Sequence, residues 1–188
     1  MKPLWLLPIG HLEDELLPFL RSALQQWLHV PCKIVPTLLD PSAAFHAERR
    51  QYHSSQILAA MQKFADGESW RVLGVTDVDL YIPILTFVFG EAQTEGPCAL
   101  VSAARLRQEF YGLPADHTLL EQRLLKEAIH EIGHTCDLTH CENYLCAMAA
   151  SFAVEWIDIK EAALCKGCQE KVESEKRVSR AHPLRRVF

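Results

Sequence analysis

The chain has 188 residues, of which 49% are hydrophobic and 23% charged, with a formal net charge of -5. This is the mix of a globular domain and excludes disordered, collagen-like and coiled-coil classes. The acidic balance argues against a nucleic-acid partner, and no apolar run is long enough to span a membrane.

Residues 4–9 form a short apolar run interrupted by Pro8 and followed at once by His11, Glu13, Asp14 and Glu15. No small-residue cleavage site follows, so the run reads as a buried strand rather than an export signal. The expected compartment is the cytoplasm, where thiols stay reduced. Residues 12–28 carry Leu12, Leu16, Phe19, Leu20, Ala23, Leu24 and Trp27 at helical spacing. Residues 32–35, bounded by Pro31 and Pro36, suit a short strand, and Asp40-Pro41-Ser42 is turn chemistry. A helix is expected over 45–64, with Ile57, Ala60, Met61 and Phe64 on one side and Asp66-Gly67 as its stop. Residues 70–75, 85–89 and 99–101 read as strands, punctuated by Gly90 and Gly96-Pro97. This alternation predicts an α/β or α+β fold. No linker divides the chain, so one domain is expected over 1–188, with an upper part of about 1–136 and a lower part of about 137–188. The next helix is expected over 119–136, opened by Thr118 and Glu121 as a capping box. Leu125, Ile129, Ile132 and Cys136 form its apolar stripe, while Arg123, Glu127, His130 and His134 lie on another face. The charged stretch from 169 onwards is expected to be a helix followed by a loose arm.

Nine histidines and seven cysteines are many for this length, and their spacing carries chemistry. His130-Glu131-Ile132-Gly133-His134 is an H-E-x-x-H motif. Residues i and i+4 sit one turn apart on one helix face, so both imidazoles can reach a single zinc ion. Zinc lowers the pKa of coordinated water to about 7, and Glu131 stands beside the first ligand as the general base for that water. Glu127, one turn earlier, is either an orienting partner of a ligand or a solvated helix-face charge. His140 follows six residues after His134, too far round a continuous helix to reach the same ion. It can join only if the chain turns sharply, and Asp137 is among the residue types that tolerate the left-handed backbone such a turn needs. An odd number of cysteines cannot pair completely. Cys141 and Cys146, followed by Cys165 and Cys168, have the spacing of a four-thiolate structural zinc site, which leaves no open coordination position. Cys32, Cys98 and Cys136 sit in apolar patterns and read as small buried hydrophobes.

The set His130-Glu131, His134, His140-Cys141, Cys146-Ala147-Met148, Cys165 and Cys168 resembles the archaemetzincin family of the metzincin zinc metallopeptidases. Asp79-Leu80-Tyr81 and Phe87-Val88-Phe89-Gly90 extend the resemblance upstream, so it covers most of the chain. It implies a mixed sheet over an active-site helix, with an antiparallel edge strand near 87–93 that aligns a peptide or protein substrate. It implies His130, His134 and His140 on a catalytic zinc, Glu131 as base and acid, Met148 as the floor beneath the zinc, and a second zinc on the four cysteines. Two positions depart from the pattern. Asp137 stands where the clan has glycine, and Ala150 stands where some members have a tyrosine two residues after the methionine. The expected activity is zinc-dependent peptide hydrolysis. An aminopeptidase would need an anchor for the substrate amine, for which Glu91 or Glu95 is available. Two other readings stay open: a zinc-stabilised binding module with little turnover, and a zinc hydrolase of non-peptide amides or esters.

Overall fold

A computed structural model describes residues 2–94 and 96–181. Along the chain lie β1 (Leu4–Ile9), α1 (Leu16–Leu28), β2 (Cys32–Ile34), β3 (Phe45–His46), β4 (Gln51–His53), α2 (Ser54–Met61), β5 (Arg71–Thr76), β6 (Leu80–Tyr81), β7 (Gly90–Ala92), β8 (Cys98–Ser102), α3 (His117–His134), α4 (Val154–Ile159) and α5 (Lys166–Ala181). The main sheet has the order β2-β1-β5-β8-β7. Its first four strands are parallel, and β7 closes one edge antiparallel to β8. A small second sheet has the order β3-β4-β6. This is the mixed α/β architecture expected.

Side chains on successive strand positions point to opposite faces, and both faces here are apolar. Leu4, Leu6, Leu73, Val75, Ala99 and Val101 pack with α1 and α3, while Leu7, Ile9, Val72, Cys98 and Leu100 pack with α2. Helices therefore cover the sheet from both sides, as parallel sheets require. The three isolated cysteines, Cys32, Cys98 and Cys136, are buried as expected. Among the described residues no helix is long and apolar enough to cross a membrane.

Several predicted boundaries move. Residues 45–53 are not helical: a two-residue pairing of β3 with β4 occupies them, turned by Arg50 at φ 54°. Ala47, Glu48, Arg49, Arg50 and Gln51 are good helix formers, but Tyr52 N–H donates to the Asp79 carbonyl and Gln51 bonds to the Asp79 carboxylate, which holds the segment extended. Residues 85–87 form a loop rather than a strand, and of 85–89 only Val88, bridged antiparallel to Leu80, and Phe89, whose carbonyl accepts from Ser102 N–H, make strand-like pairings. Arg49 donates to the carbonyls of Leu85 and Thr86, Gln51 also donates to Thr86, and Arg105 lies 4.2 Å over the Phe87 ring, so side chains satisfy what a neighbouring strand would. The cap of α3 is Asp116, whose carboxylate accepts the Leu119 N–H at 2.9 Å, and not Thr118. Helix α1 starts at Leu16, and α5 starts at Lys166. Val172 and Lys176 of α5 are buried against the rest of the molecule, and Lys176 Nζ donates to the Leu28 carbonyl at the end of α1. The loose arm expected after this helix lies outside the described residues.

Candidate metal centre and cleft

Helix α3 runs between the sheet and the segment 135–165, so its C-terminal half is largely enclosed: Ala128 to Gly133 are all buried. His130 and His134 project from this half, one turn apart. The helix then ends at His134, and Asp137 adopts the left-handed conformation at φ 57°. The turn is closed by Cys136 N–H and Leu138 N–H, both donating to the Gly133 carbonyl. It carries the chain back so that His140 joins the other two imidazoles. Ring centroids lie 4.6, 5.3 and 5.1 Å apart, and one ligand nitrogen from each ring falls within 4.8 Å of the others. Asp137 itself is exposed and contributes no ligand atom to this cluster.

The hydrogen bonds set the chemical state of the rings. His130 Nδ1 lies 2.8 Å from the Ala147 carbonyl, and His134 Nδ1 lies 2.7 Å from the Leu138 carbonyl. A carbonyl can only accept, so each Nδ1 carries the proton and each Nε2 keeps its lone pair. The two Nε2 atoms face each other at 3.0 Å. Two lone pairs at that distance repel unless a cation lies between them. Tetrahedral zinc with ~2.05 Å Zn–N bonds separates its nitrogens by about 3.3 Å, so the donor set suits zinc. Burial holds His130 well below, and His134 and His140 below, the usual imidazole range, which keeps all three in the ligand form.

Glu131 is buried and lies against Gly90 on the edge strand. A Cβ at Gly90 would meet Glu131 Oε1 at 2.6 Å and the Leu100 carbonyl at 2.5 Å, so only glycine admits the carboxylate there. Burial, and then the negative charge of Glu127, push the Glu131 carboxyl well above the usual carboxylate range when protein charges alone act. A divalent cation beside it acts in the opposite direction. Met148 is fully buried and packs against Gly133, inside the turn of α3 that separates the two histidines.

Glu127 is not a solvated charge. Its carboxylate is buried and accepts from Lys160 Nζ at 3.0 Å. Burial raises its pKa, and Lys160 only partly offsets this. Lys160 Nζ also donates to the Ala147 carbonyl at 3.2 Å, the same oxygen that holds His130. Sequence reasoning missed Lys160 and Gly90. Lys160 stands in no motif; Gly90 closes the Phe87-Val88-Phe89-Gly90 stretch that carries the upstream resemblance, but nothing local marked it as the residue that admits the Glu131 carboxylate.

The four cysteines expected to cluster do so: Cys141, Cys146, Cys165 and Cys168 place their sulfurs within 4.8 Å of one another. Cys141 and Cys165 sulfurs are 3.8 Å apart, the spacing of two thiolates about 2.3 Å from a tetrahedral zinc. The amide of Cys168, at the start of α5, draws the Cys165 thiol down to about 7, so this sulfur ionises readily. Cys141 N–H donates to the Met148 carbonyl at 2.9 Å, which ties the sulfur cluster to the turn beneath the histidines.

The histidines and Glu131 open into a cleft of about 820 Å³. Residues 85–92 form its upper wall, and His140 with Ala150, Ser151 and Phe152 line it below. In the antiparallel ladder Glu91 pairs with Leu100, so the main-chain groups of Gly90 and Ala92 point away from β8 to the open edge. The Glu91 side chain lies on the opposite sheet face from Glu131, where its carboxylate accepts from Ser54 and Ser55. Glu95 lies outside the described residues.

Comparison with known proteins agrees with this architecture. The model of peptidase family M54 matches residues 25–174. The archaemetzincin of Methanocaldococcus jannaschii is 44% identical over 166 residues, covering 88% of this chain and 90% of that protein. The archaemetzincin of Pyrococcus furiosus is 40% identical over 174 residues, covering 88% and 90%. Among solved structures, a zinc-dependent peptidase from Methanocorpusculum labreanum superposes with a TM-score of 0.82 at 29% identity, covering 90% of this chain and 99% of that one. The archaemetzincin of Archaeoglobus fulgidus, crystallised with malonate, superposes at 0.77 with 33% identity and the same coverage.

Proposed function

Because this chain belongs to peptidase family M54, the archaemetzincins, and is a zinc metallopeptidase, we propose that Nε2 of His130, Nε2 of His134 and the His140 ring hold the catalytic zinc and that Glu131 carries the proton. The observation behind this reading is the convergence of three neutral imidazoles and one buried carboxyl on a single cleft beneath an open strand edge. Bound there, zinc supplies Lewis-acid polarisation of the scissile carbonyl and acidifies water. The chain's own residues supply the rest. Gly90 and Ala92 offer main-chain donors and acceptors to an extended peptide, which lies as an added strand along the edge. Glu131 takes a proton from the attacking water at a carboxylate oxygen and passes it to the departing amine. The carbonyls of Ala147 and Leu138 keep the first two rings oriented. Met148 fills the space under them.

We further propose that Cys141, Cys146, Cys165 and Cys168 hold a second, structural zinc, giving two per chain, and that the enzyme works in the cytoplasm, where such thiols remain reduced. Cleavage within a peptide fits the cleft better than removal of the first residue, since Glu91 is engaged by two serine hydroxyls on the far face of the sheet. Equal turnover of free and N-acetylated peptides is the expected result.

The deciding experiment is Glu131→Ala. It is expected to keep the fold and two zinc ions by elemental analysis, and to lose at least about 10²-fold in turnover of a quenched peptide library. Undiminished turnover would overturn the proton-transfer role. One zinc per chain and no turnover in the unaltered protein would favour a binding module instead.

A further inference from the structure

We infer that Lys160 is a positioning residue for His130, acting through the Ala147 carbonyl. The inference rests on the reading of His130 as a metal ligand. The two helix-borne histidines are oriented in different ways. His134 leans on the Leu138 carbonyl, four residues away and fixed by the helix-terminal turn through Leu138 N–H and the Gly133 carbonyl. His130 leans on a carbonyl 17 residues away, in the crossing segment that carries Cys146 and Met148. That oxygen is not fixed by the turn that ends α3 and needs another partner to hold it against His130.

Lys160 is that partner. The residue follows α4 directly, and its side chain turns inward and is 1% exposed. Its ammonium reaches the second lone pair of the Ala147 carbonyl at 3.2 Å. On the preceding peptide the residue's own N–H donates to the Ala163 carbonyl at 2.8 Å, so Ala147 is held at both its N–H and its C=O. Glu127 fixes the ammonium in turn at 3.0 Å, and Ser151 Oγ approaches the same carboxylate oxygen at 3.5 Å. Glu127 lies three and four residues before His130 and Glu131 on α3. The ammonium is thereby referenced to the helix that bears both groups. Stability does not account for the arrangement, because a buried ion pair is often no more stabilising than apolar residues of the same volume. Its distinctive consequence is geometric: the crossing segment cannot rotate its carbonyl away from His130.

The test separates these roles. The paired variant Lys160→Met/Glu127→Leu removes both charges and keeps most of the volume, so it is expected to fold with an unfolding temperature close to that of the parent. Its histidine site is expected to lose 10–100-fold in zinc affinity by chelator competition, the range seen when an outer partner of a ligand is removed. In the cobalt-loaded protein, the ligand-field bands of the histidine site are expected to shift while the thiolate bands stay. Turnover is expected to fall in kcat with KM unchanged. Lys160→Arg, which keeps charge and donors, is expected to retain more affinity than the paired variant. A folded paired variant with parental affinity, spectrum and kcat would overturn the inference, as would Lys160→Arg weakening the site more than the paired variant does. If the unaltered protein cleaves no peptide yet the paired variant still loses metal affinity, the peptidase reading fails and this one stands.

Discussion

Gly133→Ala tests how Met148 is seated beneath the histidines. In an ordinary helix interior this change stabilises by about 1 kcal/mol, since glycine is the poorer helix former. Here the new Cβ falls well inside van der Waals distance of Met148 Sδ and 3.2 Å from both Met148 Cε and Leu138 Cδ1. Met148 is fully buried and cannot swing to solvent. Overpacking of this kind costs about 1–3 kcal/mol. The two effects sum to a net loss of about 0–2 kcal/mol, and at roughly 2–4 °C per kcal/mol for a chain of this size the melting temperature should drop by several degrees at most. Thermal unfolding by circular dichroism, at one fixed free zinc concentration, measures it. The paired variant Gly133→Ala/Met148→Ala sharpens the test. Met148→Ala alone leaves a cavity and should cost about 2–5 kcal/mol. The alanine methyl at 133 partly fills that cavity, so the two changes should be non-additive by about 1 kcal/mol or more in the favourable direction. A full 1 kcal/mol gain from Gly133→Ala, or strict additivity in the pair, would refute the packing argument.

Two further outcomes follow from local geometry and burial. Asp137→Gly removes a non-glycine residue from the left-handed region, worth about 1–2 kcal/mol, but adds about 0.5–1 kcal/mol of unfolded-chain entropy, so a small net stabilisation is expected in urea unfolding with no change in zinc content. A loss above about 1 kcal/mol would mean that the exposed carboxylate makes a contact that matters. Burial pushes the Cys32 and Cys98 thiols up to about 11, above the 9.0 of an exposed thiol. The unfolded chain then loses these protons first as pH rises, so stability should fall between pH 9 and 11 by about 1.4 kcal/mol per pH unit for each thiol. Cys98→Ala should remove one such contribution from the slope of urea stability against pH, and an unchanged slope would contradict the assignment.

The histidine and cysteine clusters were the most legible part of the sequence. An i, i+4 histidine pair has few geometries once its helix is recognised, and the central strands announced themselves as apolar runs between glycine and proline. The turn at Asp137 was readable because its side chain is one of the few that tolerate positive φ. What stayed hidden is what depends on distant partners. Residues 45–53 have helical composition, but Asp79, 26 or more positions later, holds Gln51 and Tyr52 extended. Residues 85–89 have strand composition, yet Arg49, Gln51 and Arg105 claim their carbonyls and ring. Thr118 and Glu121 spelled a capping box, while Asp116 two residues earlier accepts the bond that matters. Glu127 was ambiguous between solvent and interior for the same reason: its partner, Lys160, is 33 residues away with no local pattern to mark it.

The crossing segment also bears on how the molecule is made. Chains emerge from the ribosome amino end first. Helix α3 therefore leaves the ribosome before Ala147, Lys160, Cys165 and Cys168, the parts that steady it. A nascent chain halted after α3 has the sheet to pack that helix against, but lacks His140 and the Ala147 and Leu138 carbonyls that orient the two helix-borne rings. The proposed metal centre is therefore completed only once residues 135–168 have been made.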